Sequence, residues 1–504
     1  MARPRARDPM NRKSGVLLHP TSLPGRYGIG EFSAEAYRFV DWLVAAGQTL
    51  WQVMPLGPTG YGDSPYQCFS AFAGNPLLIS LDTLAAEGAL TAEDLADAPV
   101  FPDTKVDFGP VINFKKAVLR KSYDRFAAGA SASQRQDFAR FCAENASWLD
   151  DYALFIAIKD AHNGNVWNTW ESNIARHEPA ALRAWRARLA DPIEAQQYYQ
   201  YQFFRQWAAL RAYANHRGVR IIGDIPIFVA FDSADAWSHR DEFFFDEALQ
   251  PTVIAGVPPD YFSPTGQRWG NPLYRWDVMQ ARGFEWWIER CKAAFGLYDV
   301  LRIDHFRGFE SYWEVPASEP TAMKGRWVQG PGLELFRAIE RALGPLPIIA
   351  EDLGIITPEV EILRDASGFP GMRVLQFAFV ADTASAFLPH NYIPNAVAYV
   401  GTHDNDTTLG WWKGLDGPTR AQVTNYSGTS GSDIGWDLIR ALSVSVAGTV
   451  IFTLQDLMGL GAEARMNLPG RAGGNWGWRF TPDMLTEAIA KRLKVMTVTY
   501  GRAP

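Results

Sequence analysis

Asp304 closes an apolar, β-branched run, Val300-Leu301-Arg302-Ile303-Asp304, which passes into His305-Phe306-Arg307-Gly308. Runs of this kind deliver ionisable groups from a buried parallel strand to the open rim of a barrel. Side chains alternate along a strand, so Arg302 and Asp304 share a face, and the guanidinium favours a charged carboxylate, a candidate nucleophile. Three more apolar runs bring acids to the same rim: residues 220–229 carry Asp224 within the run, 347–354 carry Glu351, and 396–407 carry His403 and Asp404. Four acids gathered in one mouth repel one another, which a purely structural use leaves unexplained. Glu351 follows Ile348-Ile349-Ala350, an apolar neighbourhood that raises a carboxyl's pKa and suits it to donate a proton. One charged and one protonated carboxyl, about 5–5.5 Å apart, are what glycosyl transfer with retained configuration requires.

Other chemistries fit less well. Asp304-His305 and His403-Asp404 have the makings of metal-ligand pairs, but no His-x-His or His-Glu-x-x-His spacing supports a metal centre. A phosphate-cradling Gly-x-x-x-x-Gly-Lys-Ser/Thr is absent, Gly28-Ile29-Gly30 lacks the third glycine of a dinucleotide loop, and no Gly-x-Ser-x-Gly occurs. No metal and no organic cofactor is expected.

The elements that must position these acids follow a strand–helix rhythm. Residues 14–23 and 49–56 read as strands, with a helix over 34–46 between them and a Gly/Pro-rich loop, 57–66, after the second. The next strand pattern begins only at residue 220, a gap too long for a loop. Helical spacing over 113–126, 132–161 and 179–216 fills it. Strand patterns resume at 220–229, 300–304, 347–354, 372–379, 396–407 and 449–458. Eight such runs alternating with helices predict an α/β fold, a (β/α)8 TIM-type barrel over 14–504 with long loops over its C-terminal face. It is interrupted by a mainly helical insertion, 84–218, and a smaller one, 230–298, whose stretch 256–274 is too rich in Pro and Gly for helix or central strand and reads as an ordered loop. Residues 1–13, with Arg3, Arg5, Arg7, Arg12 and Lys13 but no apolar signal segment, read as a disordered leader.

The totals narrow the partners. A net charge of −7 argues against nucleic acid, which needs a basic face, and no apolar run is long enough to cross a bilayer. Three widely spaced cysteines, Cys68, Cys142 and Cys291, suit a reducing compartment, with the cytoplasm the expected location. The 19 Trp, 18 Tyr and 30 Phe mostly fill core space, but those in Gly/Pro-rich loops offer flat faces for sugar rings.

Several strings together resemble one family. They are Gly57 to Asn75-Pro76, Gly223-Asp224-Ile225-Pro226-Ile227, Gly256 to Tyr274, Arg302 to Gly308, Ala350-Glu351-Asp352-Leu353-Gly354, Gly401-Thr402-His403-Asp404-Asn405-Asp406-Thr407, Gln455-Asp456-Leu457, Ala464-Arg465-Met466-Asn467 and Gly474-Asn475-Trp476. In this order, spanning essentially the whole chain, they resemble the amylomaltases, the 4-α-glucanotransferases related to the α-amylase clan. The resemblance implies retaining transfer of α-1,4-glucan segments to the 4-hydroxyl of an acceptor glucan or glucose, cyclisation included, through a covalent glycosyl–aspartate. It implies Asp304 as nucleophile, Glu351 as acid/base and Asp404 as transition-state stabiliser. Arg302, His403, Asp224 and Tyr66 would line the sugar subsite at the reaction centre. Tyr261, Gln267, Trp269 and Asn475 would bind substrate beyond it, and Tyr61 would belong to a second, outlying glucan site. Cys68 stands where the family pattern has Ser. Maltooligosaccharides and glucose are the implied partners. A starch-type hydrolase on the same barrel is the enzymatic alternative. The intact trio Asp304, Glu351 and Asp404 speaks against a non-catalytic glucan-binding protein.

Overall fold

The computed structural model describes residues 12–259, 263–380, 384–471 and 473–503. Its strands are β1 (Lys13–Leu17), β2 (Leu50–Gln52), β3 (Arg220–Pro226), β4 (Val253–Val257), β5 (Gln267–Pro272), β6 (Val300–Asp304), β7 (Ser311–Pro316), β8 (Arg326–Gln329), β9 (Ile348–Ala350), β10 (Gly371–Val374), β11 (Ala396–Tyr399) and β12 (Thr449–Thr453). Eight of them close a barrel in the order β1-β2-β3-β6-β9-β10-β11-β12, with every pair parallel; six lie inside predicted apolar runs, and β1 and β10 each begin one residue ahead of theirs. The period of two sorts their side chains into two layers. Leu17, Leu50, Ile222, Ile349, Met372, Val374, Val397, Tyr399 and Ile451 form one apolar cluster that fills the barrel. Val16, Trp51, Ile221, Leu301, Ile303, Val450 and Phe452 belong to the larger cluster shared with the surrounding helices. The result is a (β/α)8 barrel.

β1 starts at Lys13, and Arg12 donates to the Ser443 and Ser445 carbonyls, so the leader read over 1–13 is shorter at its end; residues 1–11 lie outside those described. Between β2 and β3 run the helices Phe108–Gly129, Ala132–Glu144, Ala146–Ala161, Pro179–Arg188 and Ala190–His216. Two of the predicted helices are thus each split, at Asn145 and at Leu189. Leu149, Phe155, Ile158, Trp167, Trp170, Ile174 and Leu182 give these helices an apolar cluster of their own, joined by Ala234 and Trp237. The last helix also serves the barrel: Phe203, Trp207, Leu210 and Ala214 enter the main cluster, and the Trp207 indole donates to the Leu297 carbonyl at 3.0 Å.

A second, antiparallel sheet, ordered β5-β4-β7-β8, stands over the rim. Its first two strands correct the reading of 256–274 as a strandless loop, for β4 and β5 flank its tip as a hairpin. Pro258, Pro259 and Pro264 lie between the strands and Pro272 closes β5, positions where a missing N–H costs the ladder little. Gly256 is needed where the strands come closest, since a Cβ there would lie 2.5 Å from the Gln267 carbonyl oxygen. The partner strands β7 and β8 come from the segment after β6, which the sequence analysis left unassigned although Ser311-Tyr312-Trp313-Glu314-Val315 has strand composition. Among the described residues no helix is long and apolar enough to cross a membrane.

Candidate active site

The barrel's inward face carries the candidate acids. Ile222 and Ile349 fill the lumen, and two residues further along the same face stand Asp224 and Glu351; on β6 the face runs Val300, Arg302, Asp304. Register aligns Asp224 with Arg302 and Ile303 with Ala350, so Asp304 and Glu351 end neighbouring strands side by side. Arg302 is the hub. One Nη donates to Asp224 Oδ2, the other to Asp304 Oδ1 at 2.8 Å, and Nε faces the Met372 sulfur at 3.3 Å. Burial opposes the guanidinium's charge, but Asp224 and Asp304 outweigh it and hold its pKa above the ordinary value. Burial pushes the Asp224 carboxyl up to about 7 against the pull of Arg302, whereas Asp304 keeps 28% of its side chain exposed, open to a substrate.

Glu351 has the opposite setting. Only 8% exposed, it is pushed up to about 8, first by burial and then by the Asp304 charge. Two backbone amides hold its oxygens: His305 N–H on Oε2 at 2.6 Å and Leu353 N–H on Oε1 at 3.0 Å. The carboxyl is therefore fixed in direction and inclined to carry a proton near neutral pH.

Asp404, after β11, is 44% exposed, and Asn467 Nδ2 donates to its Oδ1 at 2.6 Å while Arg465 grips its carbonyl at 2.7 Å. His403 Nε2 lies 3.5 Å from Asp404 Oδ2 and 2.9 Å from the Tyr66 hydroxyl. That hydroxyl donates to Asp224 Oδ2 at 2.9 Å, so it takes the histidine's N–H. Burial lowers the pKa of His403 and so favours this neutral form. The two rings stack, with centroids 5.3 Å apart at 13°, and Trp476 leans against both. Asp224, Arg302, Asp304, His403 and Tyr66 thus form one connected polar floor.

Trp269 stands on β5 against the His305 ring, its indole donating to Gln267 Oε1 at 3.1 Å. Tyr61 is 76% exposed on the loop after β2. The Asn475 amide is committed to its own loop, through the Leu468 N–H and carbonyl and the Arg471 carbonyl. Tyr261 lies outside the described residues. Sequence reasoning assigned no role to Asn467 or Arg465, which hold Asp404 from a loop without a periodic pattern, and it weighed His305 only as half of a metal-ligand pair, whereas its N–H holds Glu351. Asp352, beside Glu351, is structural: it pairs with Arg364 at 2.6 Å and accepts the Met372 N–H at 2.6 Å. Among the described residues no group of three or more His, Cys, Asp or Glu is placed to hold a metal ion.

Residues 18–486 match the glycoside hydrolase family 77 model, described as 4-alpha-glucanotransferase. The chain is 52% identical over 495 residues to a 4-alpha-glucanotransferase of Synechocystis sp., covering 97% of this chain and 98% of that one. Against that of Thermus thermophilus it is 51% identical over 493 residues, 96% and 98% of the two chains. The amylomaltase from Streptococcus agalactiae in complex with acarbose superposes with a TM-score of 0.95 at 42% identity, over 98% of this chain and 100% of that one. The amylomaltase from Corynebacterium glutamicum, at 18% identity and a TM-score of 0.75 over 98% of this chain and 75% of that one, shares the fold.

Proposed function

The chain belongs to the 4-alpha-glucanotransferase family, and within that activity we propose that Asp304 is the nucleophile, Glu351 the acid and base, and Asp404 the transition-state stabiliser of a double displacement. The observation that supports it best is the pair of neighbouring strand-end carboxyls in opposite settings. Asp304 is open and paired with Arg302; Glu351 is buried, amide-bound and pushed up to about 8. In the first step an Asp304 oxygen attacks the anomeric carbon, the bond to the departing 4-oxygen breaks, and Glu351 gives that oxygen its proton. In the second the acceptor's 4-hydroxyl loses its proton to Glu351 and displaces Asp304. Two inversions leave the α configuration unchanged. Asp404 meets the flattened sugar from the other side, held to that task by Asn467 and Arg465.

The substrates are α-1,4-glucans and maltooligosaccharides, with glucose also an acceptor. Tyr66, Asp224, Arg302 and His403 hold the sugar that becomes attached to Asp304. Trp269, Gln267, Tyr261 and Asn475 act on neighbouring units, and Tyr61 at an outlying site. No step calls for a metal or organic cofactor. The unbridged Cys68, Cys142 and Cys291 support a cytoplasmic location. The test is to trap the intermediate with a slow fluorinated glycosyl donor and locate the sugar by mass spectrometry. Attachment to Asp304, and its loss in Asp304→Asn, is expected; a label on another residue rejects the assignment.

A further inference from the structure

His305 lies between the end of β6 and the turn Phe306–Phe309, and its backbone takes φ 54°, ψ 48°, the left-handed region that residues with a Cβ seldom occupy. The conformation has two consequences. It aims the His305 N–H at Glu351 Oε2, 2.6 Å away, while the next N–H, of Phe306, takes the Glu351 carbonyl at 3.0 Å. It also places the imidazole against the β4–β5 hairpin, where Trp269 meets it edge to face with centroids 4.7 Å apart at 81°. Gly308 makes the room: a Cβ there would lie 2.8 Å from Ile227 Cδ1 and 3.2 Å from His305 Cδ2. One buried residue therefore touches both the carboxyl that moves the proton and the indole that the hairpin brings to the rim.

We propose that His305 is a positioning residue that couples the seating of Trp269 on the β4–β5 hairpin to the proton held by Glu351. The inference rests on the reading of Glu351 as acid and base. With Trp269 on the imidazole, water is kept from that side of Glu351, and burial favours the protonated carboxyl that donor cleavage needs even though the His305 amide on Oε2 favours the charged form. Without that cover, water reaches the carboxyl and its proton is held less tightly. The charged groups facing Glu351 are Asp304 and Asp352, which favour the proton, and Arg302, which opposes it. His305 faces Arg307; burial first, then that cation, lowers the imidazole to about 3. It adds no charge at working pH, which leaves a steric and backbone influence. Arg268 of the hairpin is turned away, donating to the Glu319 and Ala317 carbonyls at 3.0 Å each.

His305→Asn keeps a side chain that tolerates the left-handed backbone and removes the ring under Trp269. Infrared titration of protein carrying carboxyl-labelled glutamate, with Glu351→Gln identifying the band, reads the proton on Glu351 whatever its catalytic role. The Glu351 midpoint is expected to fall by about half a pH unit or more in His305→Asn, taking the alkaline limb of transfer with it. Trp269→Ala should lower it too, and the double variant should go little further than either single one. An unchanged midpoint in either single variant overturns the proposal, as do fully additive shifts. Should His305→Asn not fold, the midpoint of Trp269→Ala alone decides between coupling and its absence. The acid–base reading fails separately, through undiminished turnover in Glu351→Gln.

Discussion

At the scale of single residues, the proposed mechanism rests on two neighbouring carboxyls given different surroundings. Glu351 receives two backbone amides, each of which favours the charged form, yet burial and the Asp304 charge prevail and push it up to about 8. A carboxyl with a raised pKa keeps its proton until the pH climbs through that value, so donor cleavage should hold at neutral pH and fall as the pH passes about 8. Glu351→Gln should slow an unactivated glucan donor by about 10²-fold or more and an activated glycosyl fluoride far less, since fluoride needs little protonation to leave. Steady-state rates on the two donors check this, and equal losses on both would instead assign Glu351 a binding role. The four acids were legible because each lies in or just after an apolar run, whose period of two also fixes the face of Asp224, Asp304 and Glu351. Asn467 and Arg465 were not, since they reach Asp404 across 63 and 61 residues from a segment with no periodic pattern. The left-handed His305 was hidden for a related reason: its conformation answers to Glu351 on another strand.

At the scale of elements, the β4–β5 hairpin shows where composition misleads. Proline and glycine mask strand character in 256–274, but the prolines fall at the tip and strand end, and the pairing of β4 with β7 comes from a segment beyond β6. Local sequence holds no record of such a partner. The barrel strands suffered no such masking, because parallel strands buried on both faces are continuously apolar. The hairpin also bears on what the proposed glycosyl ester would meet, for water vastly outnumbers any acceptor hydroxyl. Trp269 can bind an acceptor's ring face and exclude water, and a positioned hydroxyl gains a large effective molarity. Incubated with maltotriose, the protein should redistribute it into glucose and longer glucans while total reducing ends stay nearly constant. Trp269→Ala should raise the hydrolytic share several-fold. A steady rise in reducing ends by the unaltered protein would favour the starch-hydrolase alternative.

At the scale of the whole molecule, polar contacts as well as apolar ones fasten the helical insertion to the loop that carries Tyr66. Lys115, fully buried on the helix Phe108–Gly129, pairs with Glu31 and donates to the Leu77 and Ile79 carbonyls at 2.8 and 2.7 Å. Glu31 in turn accepts the Leu81 N–H at 3.3 Å. Gln200 pairs with both backbone groups of Gly74, at 2.7 and 2.9 Å, and Gln206 does the same at Ser80, at 2.7 and 3.3 Å. The stretch from Gly74 to Leu81, which follows the Tyr66 loop, is thus held from the insertion side. A buried pair of this kind is worth little against a well-packed apolar replacement, but removing one partner strands the other charge. Lys115→Met should therefore destabilise the protein by about 3–5 kcal/mol, and Lys115→Met with Glu31→Leu by much less. The single variant should also acquire a distinctive pH dependence. Burial already raises the Glu31 carboxyl, and loss of Lys115 removes the main influence that lowers it. The folded form then holds a proton that the unfolded chain releases near its ordinary carboxylate pKa. The stability deficit of Lys115→Met relative to the unaltered protein should accordingly be smallest in acid and grow as the pH rises above that ordinary value. Denaturant midpoints of the single and double variants across this range test the claim, and a Lys115→Met midpoint equal to that of the unaltered protein at neutral pH would refute it.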